Sequence, residues 1–91
     1  MRWVLSKRAS ADIDAIIRYT DGHFGAAQTE EYVGGLYRSF ELLADNPHMG
    51  RAWSGERRCY IYRQHYVLYR ERPDDLFVTH IRNTRHRLPE S

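Results

Sequence analysis

The segment Arg57–Arg70 constrains the fold most, because it holds two short runs of residues that favour β-strands. Tyrosine, isoleucine, valine and leucine are concentrated in Cys59–Tyr62 and in Tyr66–Tyr69, and such side chains pack well on a pleated sheet. The connection between the runs, Arg63-Gln64-His65, is short and polar. The segment therefore predicts an antiparallel hairpin.

A third strand is predicted directly after this hairpin. In the sequence Arg72-Pro73-Asp74-Asp75, the proline pre-sets the first central position of a type I turn. The apolar run Leu76–Ile81 follows the turn. The three strands form a meander, and one face of it must be buried against apolar side chains that only the N-terminal half can supply.

The N-terminal half predicts an edge strand and a first helix. Arg2–Leu5 is a short apolar run, and Ser6 is well placed to cap the N-terminus of a helix. A helix is predicted from Lys7 to about Phe24, because Gly25 is a natural C-terminal stop. Its apolar stripe has the i, i+3, i+4 spacing and consists of Ile13, Ile16 and Ile17.

A second helix with a broad apolar face is predicted from about Ala26 to Ala44. Gly34-Gly35 interrupts it, and each glycine costs about 1 kcal/mol relative to alanine inside a helix. Two explanations remain open: the two helix backbones pack closely there, or another chain approaches in a groove. The helix is predicted to end at Asn46-Pro47, because the residue before proline disfavours helical geometry. A loop, His48–Glu56, is expected to follow.

The predicted order of elements is β-α-α-β-β-β, in one domain over residues 1–91. This order is typical of an α+β fold in which a helical hairpin packs on one face of a small, twisted, mostly antiparallel sheet. Trp53 is expected to cover an edge of the core. The side chains expected in the core between helices and sheet are Ile13, Ile17, Leu36 and Phe40.

Charge is distributed unevenly along the chain, although the net charge is only +2. Residues 1–50 carry five basic and seven acidic side chains, whereas residues 51–91 carry nine arginines and five acids. Lys7 is the single lysine beside thirteen arginines. Two explanations stand side by side: a GC-rich genome, which favours arginine codons, or a basic sheet face that meets an anionic partner.

Other features of the composition are typical of a cytoplasmic protein. The sequence contains no run of about 18 apolar residues, and no signal peptide is predicted at its N-terminus. The single cysteine, Cys59, lies in a predicted strand. It is expected to be a small buried hydrophobe rather than a reactive thiol.

Side chains suited to catalysis match no complete motif. The five histidines lack the spacing of a zinc site, and no phosphate-binding loop or nucleophile elbow is present, so no metal or cofactor is expected. Metal-free RNA cleavage would need a base, an acid and cations on the phosphate. The candidates are His65, His80 and His86 for proton transfer, with Arg63, Arg82 and Arg85 as the cations. Alternatively, these side chains are only the polar, solvent-exposed residues of a sheet face.

Several segments together resemble the RelE/ParE superfamily of toxins from bacterial toxin–antitoxin pairs, and the ParE branch most closely. The helix end Leu43–Arg51, with the pattern LAxNPxxGR, and the strand His65–Arg70, HYVLYR, are the most specific of these segments. The resemblance covers nearly the whole chain. It extends to Tyr19…Phe24-Gly25, Tyr32…Leu36…Phe40, Val78…Ile81 and Arg85-His86-Arg87.

The resemblance implies a cytoplasmic toxin that poisons DNA gyrase, has no catalytic residues of its own, and forms a hetero-oligomer with a neutralising ParD-like antitoxin. Toxins of the RelE branch instead cut messenger RNA on the ribosome, using an arginine on the third strand and a C-terminal tyrosine. Here Tyr66 occupies that strand position, and the chain ends Leu88-Pro89-Glu90-Ser91 without a tyrosine. A RelE-like endoribonuclease and a non-toxic homologue that only binds antitoxin remain the alternatives.

Two sets of residues receive roles on this basis. Contact with the target is expected from basic residues of the hairpin turn and the C-terminal tail, which are Arg63, Arg82, Arg85, His86 and Arg87. Antitoxin binding is expected on the helical hairpin, because its second helix has more apolar surface than one sheet face can cover. The residues assigned to it are Ile13, Ile17, Tyr32, Val33, Leu36 and Tyr37.

Overall fold

A computed structural model describes residues 1–88 and shows the expected α+β fold, with one strand more than the sequence predicts. The last three residues, which include the end of the tail, lie outside the described part. The elements in chain order are β1 (Arg2–Leu5), α1 (Lys7–Phe24), α2 (Ala26–Asp45), β2 (Arg51–Ser54), β3 (Arg57–Tyr62), β4 (His65–Glu71) and β5 (Asp75–Asn83).

The strands within residues 1–88 form one five-stranded sheet in the order β1-β5-β4-β3-β2. The meander β3-β4-β5 is antiparallel throughout, as predicted. Tyr62 pairs with His65, so the hairpin turn is only Arg63-Gln64 and the histidine belongs to β4. Arg63 has a φ of 49°, the left-handed geometry that a two-residue hairpin turn requires. The edge strand β1 is confirmed and runs parallel to β5.

The prediction of a loop over His48–Glu56 is wrong, because β2 lies within it. This strand pairs antiparallel with β3, and its register shifts between Ala52 and Ser54. It has only four residues, RAWS, and shows no apolar alternation by which a strand could be recognised. Trp53 is half-buried at this edge of the sheet, with the guanidinium of Arg57 5.9 Å from its ring centre.

Both predicted ends of α1 are confirmed, and the first is tied to the sheet. The Ser6 hydroxyl accepts a hydrogen bond from the Ala9 N–H at 2.9 Å and donates to the Thr79 carbonyl at 2.7 Å. The Ser6 N–H donates to the Val78 carbonyl at 2.9 Å. Gly25 ends the helix with a φ of 87°. The cap therefore fixes α1 beside β5.

An aspartate on α1 accepts a backbone N–H at the edge of β5, beyond the point where β1 ends. The pairing of β1 reaches only Val78, so the N–H of Ile81 has no strand partner on that side. The Asp12 carboxylate accepts this N–H at 3.0 Å and also receives a hydrogen bond from Arg8 at 2.9 Å. Unpaired backbone donors are costly when buried, so this contact holds α1 along the strand.

The core lies between the helices and one face of the sheet. Phe40 and Leu36 are fully buried, and Ile13 is 2% exposed, as predicted. The prediction for Ile17 is wrong: it is 37% exposed, and Ile16 takes the inward position on α1. The inward stripe of α1 runs through Ala9, Ile13, Ile16 and Thr20. The sheet contributes Val67, Tyr69, Leu76, Val78 and Ile81.

Gly35 in α2 is explained by neither of the two readings that the sequence left open. A side chain at Gly35 would overlap the hydroxyl of Tyr62, which comes from β3 of the same domain. That hydroxyl donates to the backbone carbonyl of Tyr32 at 2.8 Å. Gly35 therefore lets an aromatic ring of the sheet lie against the helix backbone, whereas Gly34 faces only the end of the Arg38 side chain.

Phe40→Ala is expected to destabilise the domain by about 3–5 kcal/mol, because it removes a large, fully buried ring and leaves a cavity. Chemical denaturation monitored by circular dichroism measures the change. The matched control is Leu42→Ala on the same helix, where the side chain is 44% exposed. The control should change the free energy of unfolding by no more than about 0.5 kcal/mol. Equal effects of the two substitutions would contradict the assignment of the core.

Candidate functional site

A groove of about 530 Å³ lies where the helical hairpin meets one end of the sheet. Tyr19, Phe24 and Tyr32 line it from the helices. Arg63 lines it from the hairpin turn, and Arg85 and His86 line it from the segment after β5. One wall of the groove is therefore aromatic and the other is cationic.

Tyr32 is the centre of a polar network at the floor of this groove. Its hydroxyl lies 2.6 Å from Nδ1 of His65 and accepts the N–H of Gln64 at 3.3 Å. With the proton of the neutral His65 ring on Nε2, the Tyr32 hydroxyl donates to Nδ1, and in the other tautomer it accepts from Nδ1. Nδ1 is engaged by the hydroxyl in both cases.

Burial sets the protonation of both partners in this network. It lowers the pKa of His65 and raises the pKa of the Tyr32 hydroxyl, because each charged form would lose its hydration. For Tyr32, the hydrogen bond from Gln64 opposes the shift only in part. At neutral pH both side chains are uncharged, so the permanent positive charge of the groove comes from its arginines.

Arg63 is held at the rim of the groove by two tyrosine rings. Its guanidinium carbon lies 5.7 Å from the ring centre of Tyr32 and 5.6 Å from that of Tyr62. Glu31 is within 3.4 Å, but both side chains of this ion pair are more than half exposed, so the pair contributes little. The guanidinium remains available to an anionic group of a partner.

A turn organised by Asn83 brings the tail residues into the groove. The Thr84 N–H donates to the Gln64 carbonyl at 2.9 Å, which joins the end of β5 to the hairpin turn. The side-chain oxygen of Asn83 accepts the Arg85 N–H at 2.9 Å, and its carbonyl accepts the His86 N–H at 3.0 Å. Residues far apart in sequence therefore share one surface.

The residues assigned to target contact divide between two places. Arg63, Arg85 and His86 line the groove. Arg82 does not, because it follows Ile81 on β5 and lies on the sheet face that the helices leave open. Its guanidinium donates to the Arg87 carbonyl at 3.3 Å, and the Arg87 side chain is not among those that line the groove.

The residues assigned to antitoxin binding divide as well. Ile13 and Leu36 are 2% and 0% exposed and belong to the core of the domain, so they are not available to a partner on the surface of the folded chain. Tyr37 packs on Trp3, with ring centres 5.6 Å apart, beside β1. Tyr32 lines the groove, Val33 is half-buried and Ile17 is exposed. Sequence reasoning missed Tyr19 and Phe24, which are 59% and 56% exposed at the groove.

The histidines considered for RNA cleavage do not meet on one surface. His65 and His86 line the groove. His80 pairs with Leu68 on β4 and lies on the opposite face of the sheet, away from the residues of the core. An acid–base pair could therefore combine only the first two.

Three further features concern metal binding, membrane crossing and the cysteine. Among residues 1–88, no three histidine, cysteine, aspartate or glutamate side chains are close enough together to hold a metal ion. No helix in the same part of the chain has the length and apolar character needed to cross a membrane. Cys59 is a buried free thiol, as predicted, and burial raises its pKa.

Comparisons with known proteins agree on one family. The family model for the ParE toxin of the type II toxin–antitoxin system parDE matches residues 4–88. Toxin ParE1 of Caulobacter vibrioides (strain ATCC 19089 / CIP 103742 / CB 15) is 37% identical over 70 residues, with 72% of each chain covered. A solved structure titled "Chromosomal ParDE TA system from P. aeruginosa" shares the fold, with a TM-score of 0.79 at 19% identity. The match covers 91% of this chain and 95% of that one.

His65→Gln is expected to reduce the loss of stability on acidification. The folded pKa of His65 lies below its ordinary value of 6.5, so between these two values the unfolded chain binds more protons than the folded one. Stability therefore falls as the pH drops through this window. Urea denaturation at about pH 7 and about pH 5 measures the difference. His23→Gln, an exposed site on α1, is the control and should behave as wild type. An unchanged pH dependence in the His65 variant would contradict the prediction.

Proposed function

The chain belongs to the family of ParE toxins of type II toxin–antitoxin systems, and we propose that it inhibits DNA gyrase and is neutralised by a ParD-like antitoxin. The observation that carries the proposal is the groove between the helical hairpin and the end of the sheet. It is the one place in the described part of the chain where the residues assigned to the two partners lie together. The proposed setting is the cytoplasm, where gyrase and antitoxin are both present.

The antitoxin segment proposed for this groove is an amphipathic helix with acidic residues along one side. Its apolar face would pack on Tyr19, Phe24 and Tyr32, as in helix-in-groove recognition. Its acids would pair with Arg63 and Arg85, whose forked guanidinium groups bind carboxylates in two places. Ordering a flexible segment costs free energy, so a few buried aromatic anchors must supply most of the affinity.

The proposed contact with gyrase uses the cationic wall of the same groove. Arg63 and Arg85 keep their charge at every physiological pH, and His86 lies beside them. These side chains suit an anionic surface of gyrase or of the DNA that gyrase holds. Because the groove is only about 530 Å³, a bound antitoxin segment would cover the cations that the target needs. Neutralisation then requires no conformational change in the toxin.

No catalytic role is proposed for the groove. His65 is neutral and its Nδ1 lies against the Tyr32 hydroxyl, so this nitrogen is not free to take a proton from a substrate. The alternative of ribosome-dependent RNA cleavage makes a different prediction in the test tube. A supercoiling assay with purified gyrase and a ribosome-dependent cleavage assay, run side by side on the same preparation, distinguish the two. The proposal expects inhibition of supercoiling without cleavage, and the reverse result would refute it.

Phe24→Asp is expected to weaken antitoxin binding by at least about 2 kcal/mol, roughly thirtyfold in Kd, because it places a charge where an apolar anchor should pack. Tyr32→Asp and Val33→Asp should act in the same direction, with some loss of stability because both side chains are half-buried. Titration calorimetry with the antitoxin peptide is the measurement. Leu42→Asp, 44% exposed and not part of the groove, is the control. Wild-type affinity in the Phe24 variant would place the antitoxin elsewhere.

Arg85→Gln is expected to reduce growth arrest more than Arg87→Gln, because only the first side chain lines the groove. Combining Arg63→Gln with Arg85→Gln should abolish toxicity while the melting temperature stays close to that of wild type, since both guanidinium groups are at the surface. Growth of cells that express each variant without antitoxin is the readout. If Arg87→Gln proves as damaging as Arg85→Gln, the groove is not the contact surface.

A further inference from the structure

The sheet face that the helices leave open carries several cationic or ionisable side chains. We call a group of them, Arg57, Arg70, His80 and Arg82, the basic sheet face. Residues alternate between the two faces along a strand. Val67 and Tyr69 belong to the core beneath the helices, so Leu68 and Arg70 face the other way. The register pairs Arg57 with Arg70, His80 with Leu68, and Arg82 with Tyr66.

Two like charges lie directly opposite each other on this face. Arg57 and Arg70 are cross-strand partners on β3 and β4, an arrangement that destabilises a sheet unless an anion lies between the charges. Ion pairs within residues 1–88 involve Arg8, His48, Arg63 and Arg72, and no member of the basic sheet face. Glu56 lines the hollow beside Arg57 without forming an ion pair with it. No positive charge of the face is therefore held in an ion pair within residues 1–88.

Two buried nitrogen atoms of the same face have no hydrogen-bond partner. They are Nδ1 of His80 and Nε of Arg82. Buried polar atoms are nearly always paired in folded proteins, and a guanidinium N–H can pair only with an acceptor. Burial lowers the pKa of His80, and the nearby charge of Arg8 lowers it further. Arg57 and Arg82 act in the same direction, and only Asp12 opposes them, so the electrostatic potential here is positive.

The arginines at one end of the face are held by aromatic rings. Arg57 lies over Trp53 at 5.9 Å, and Arg70 lies over Phe77 at 5.6 Å. Between them is an open hollow of about 550 Å³. Stacking on an aromatic ring restricts a guanidinium group before a ligand arrives, so less entropy is lost when it binds.

We propose that the basic sheet face binds the phosphodiester backbone of duplex DNA without reading its sequence. The cations extend from Arg57 and Arg70 at one end to Arg82 at the other, four residues along the strands, or about 13 Å. A single phosphate cannot reach both ends, whereas a polymer with regularly spaced phosphates can. Guanidinium forks match phosphate oxygens in pairs, and contacts to the phosphate backbone carry no sequence information.

This site lies across the sheet from the groove and does not depend on the function proposed for the groove. The sheet itself separates the two surfaces. Loss of DNA binding should therefore leave antitoxin affinity unchanged. The two proposals can fail separately: purified toxin can bind DNA without inhibiting gyrase, or inhibit gyrase without binding DNA on its own.

The test is fluorescence anisotropy of a short labelled DNA duplex of arbitrary sequence, titrated with purified toxin at several salt concentrations. The double variant Arg57→Gln/Arg70→Gln should bind at least about tenfold more weakly, and the slope of log K against log salt should fall by about 2, one unit for each lost phosphate contact. The matched control is Arg18→Gln/Arg38→Gln, which removes the same charge from exposed sites on the helices. The control should stay close to wild type.

Melting curves show whether each variant is folded, and Arg82→Gln is the substitute if the double variant is not. In that case the single variant should lower the slope by about 1. Equal losses in the double variant and in the helix control would overturn the proposal, because net charge alone would then explain binding. Equal competition by poly-glutamate and by unlabelled duplex would also overturn it, since the face would then favour an acidic protein over a phosphate backbone.

Discussion

The fold depends on burying one face of the sheet. Tyr69 joins this buried face to the segment that connects α2 with β2. Its ring is fully buried at the centre of β4. Its hydroxyl donates to the Pro47 carbonyl at 2.7 Å and accepts the Gly50 N–H at 2.9 Å. A side chain at Gly50 would meet both the Tyr69 ring and the Cys59 carbonyl at 3.0 Å or less. One buried hydroxyl thus satisfies two backbone groups and fixes the path from α2 into β2, which is why the LAxNPxxGR segment needs glycine at this position.

Because the helices bury only one face of the sheet, the groove and the basic sheet face lie on different sides of it. The helices cover the face that holds Val67 and Val78, and α2 reaches the end of the sheet where β3 turns into β4, through Tyr32. The groove opens at this end, with Tyr32 and His65 as its floor. The other face has no helical layer, although its residues Cys59 and Leu68 are only 2% and 0% exposed. Long side chains can shield apolar atoms while their charged ends stay in water. The arginines of this face present their charge on the side of the sheet that the helices leave open.

The sequence was sufficient for the elements with strong local signals and insufficient for what long-range packing decides. Both helices were predicted nearly to the residue, because Ser6, Gly25 and Pro47 mark their ends chemically. The four-residue β2 was missed, because it has no periodicity and forms only through pairing with β3. Ile17 was misplaced because adjacent isoleucines differ by about 100° around a helix, and only the packed structure selects the inward one. The groove was found only in part, since no sequence pattern reveals that Asn83 turns Arg85 towards Tyr32.

If antitoxin and target share the groove, as proposed, neutralisation depends on the fraction of toxin whose groove the antitoxin occupies. When a ligand binds only the folded toxin, the fraction of free toxin is set by the ratio of free antitoxin to its Kd. At a thousandfold excess over Kd, about one toxin molecule in a thousand is free, and the complex is stabilised by about 4 kcal/mol. Aromatic anchors such as Phe24 matter more for this than the ion pair at the rim, because exposed pairs contribute less than about 1 kcal/mol each. Under the proposed function, the arginines would pair with acids of the antitoxin and with an anionic surface of the target, so the two partners would compete for one surface. Dissociation of the antitoxin would then expose a groove that is already formed.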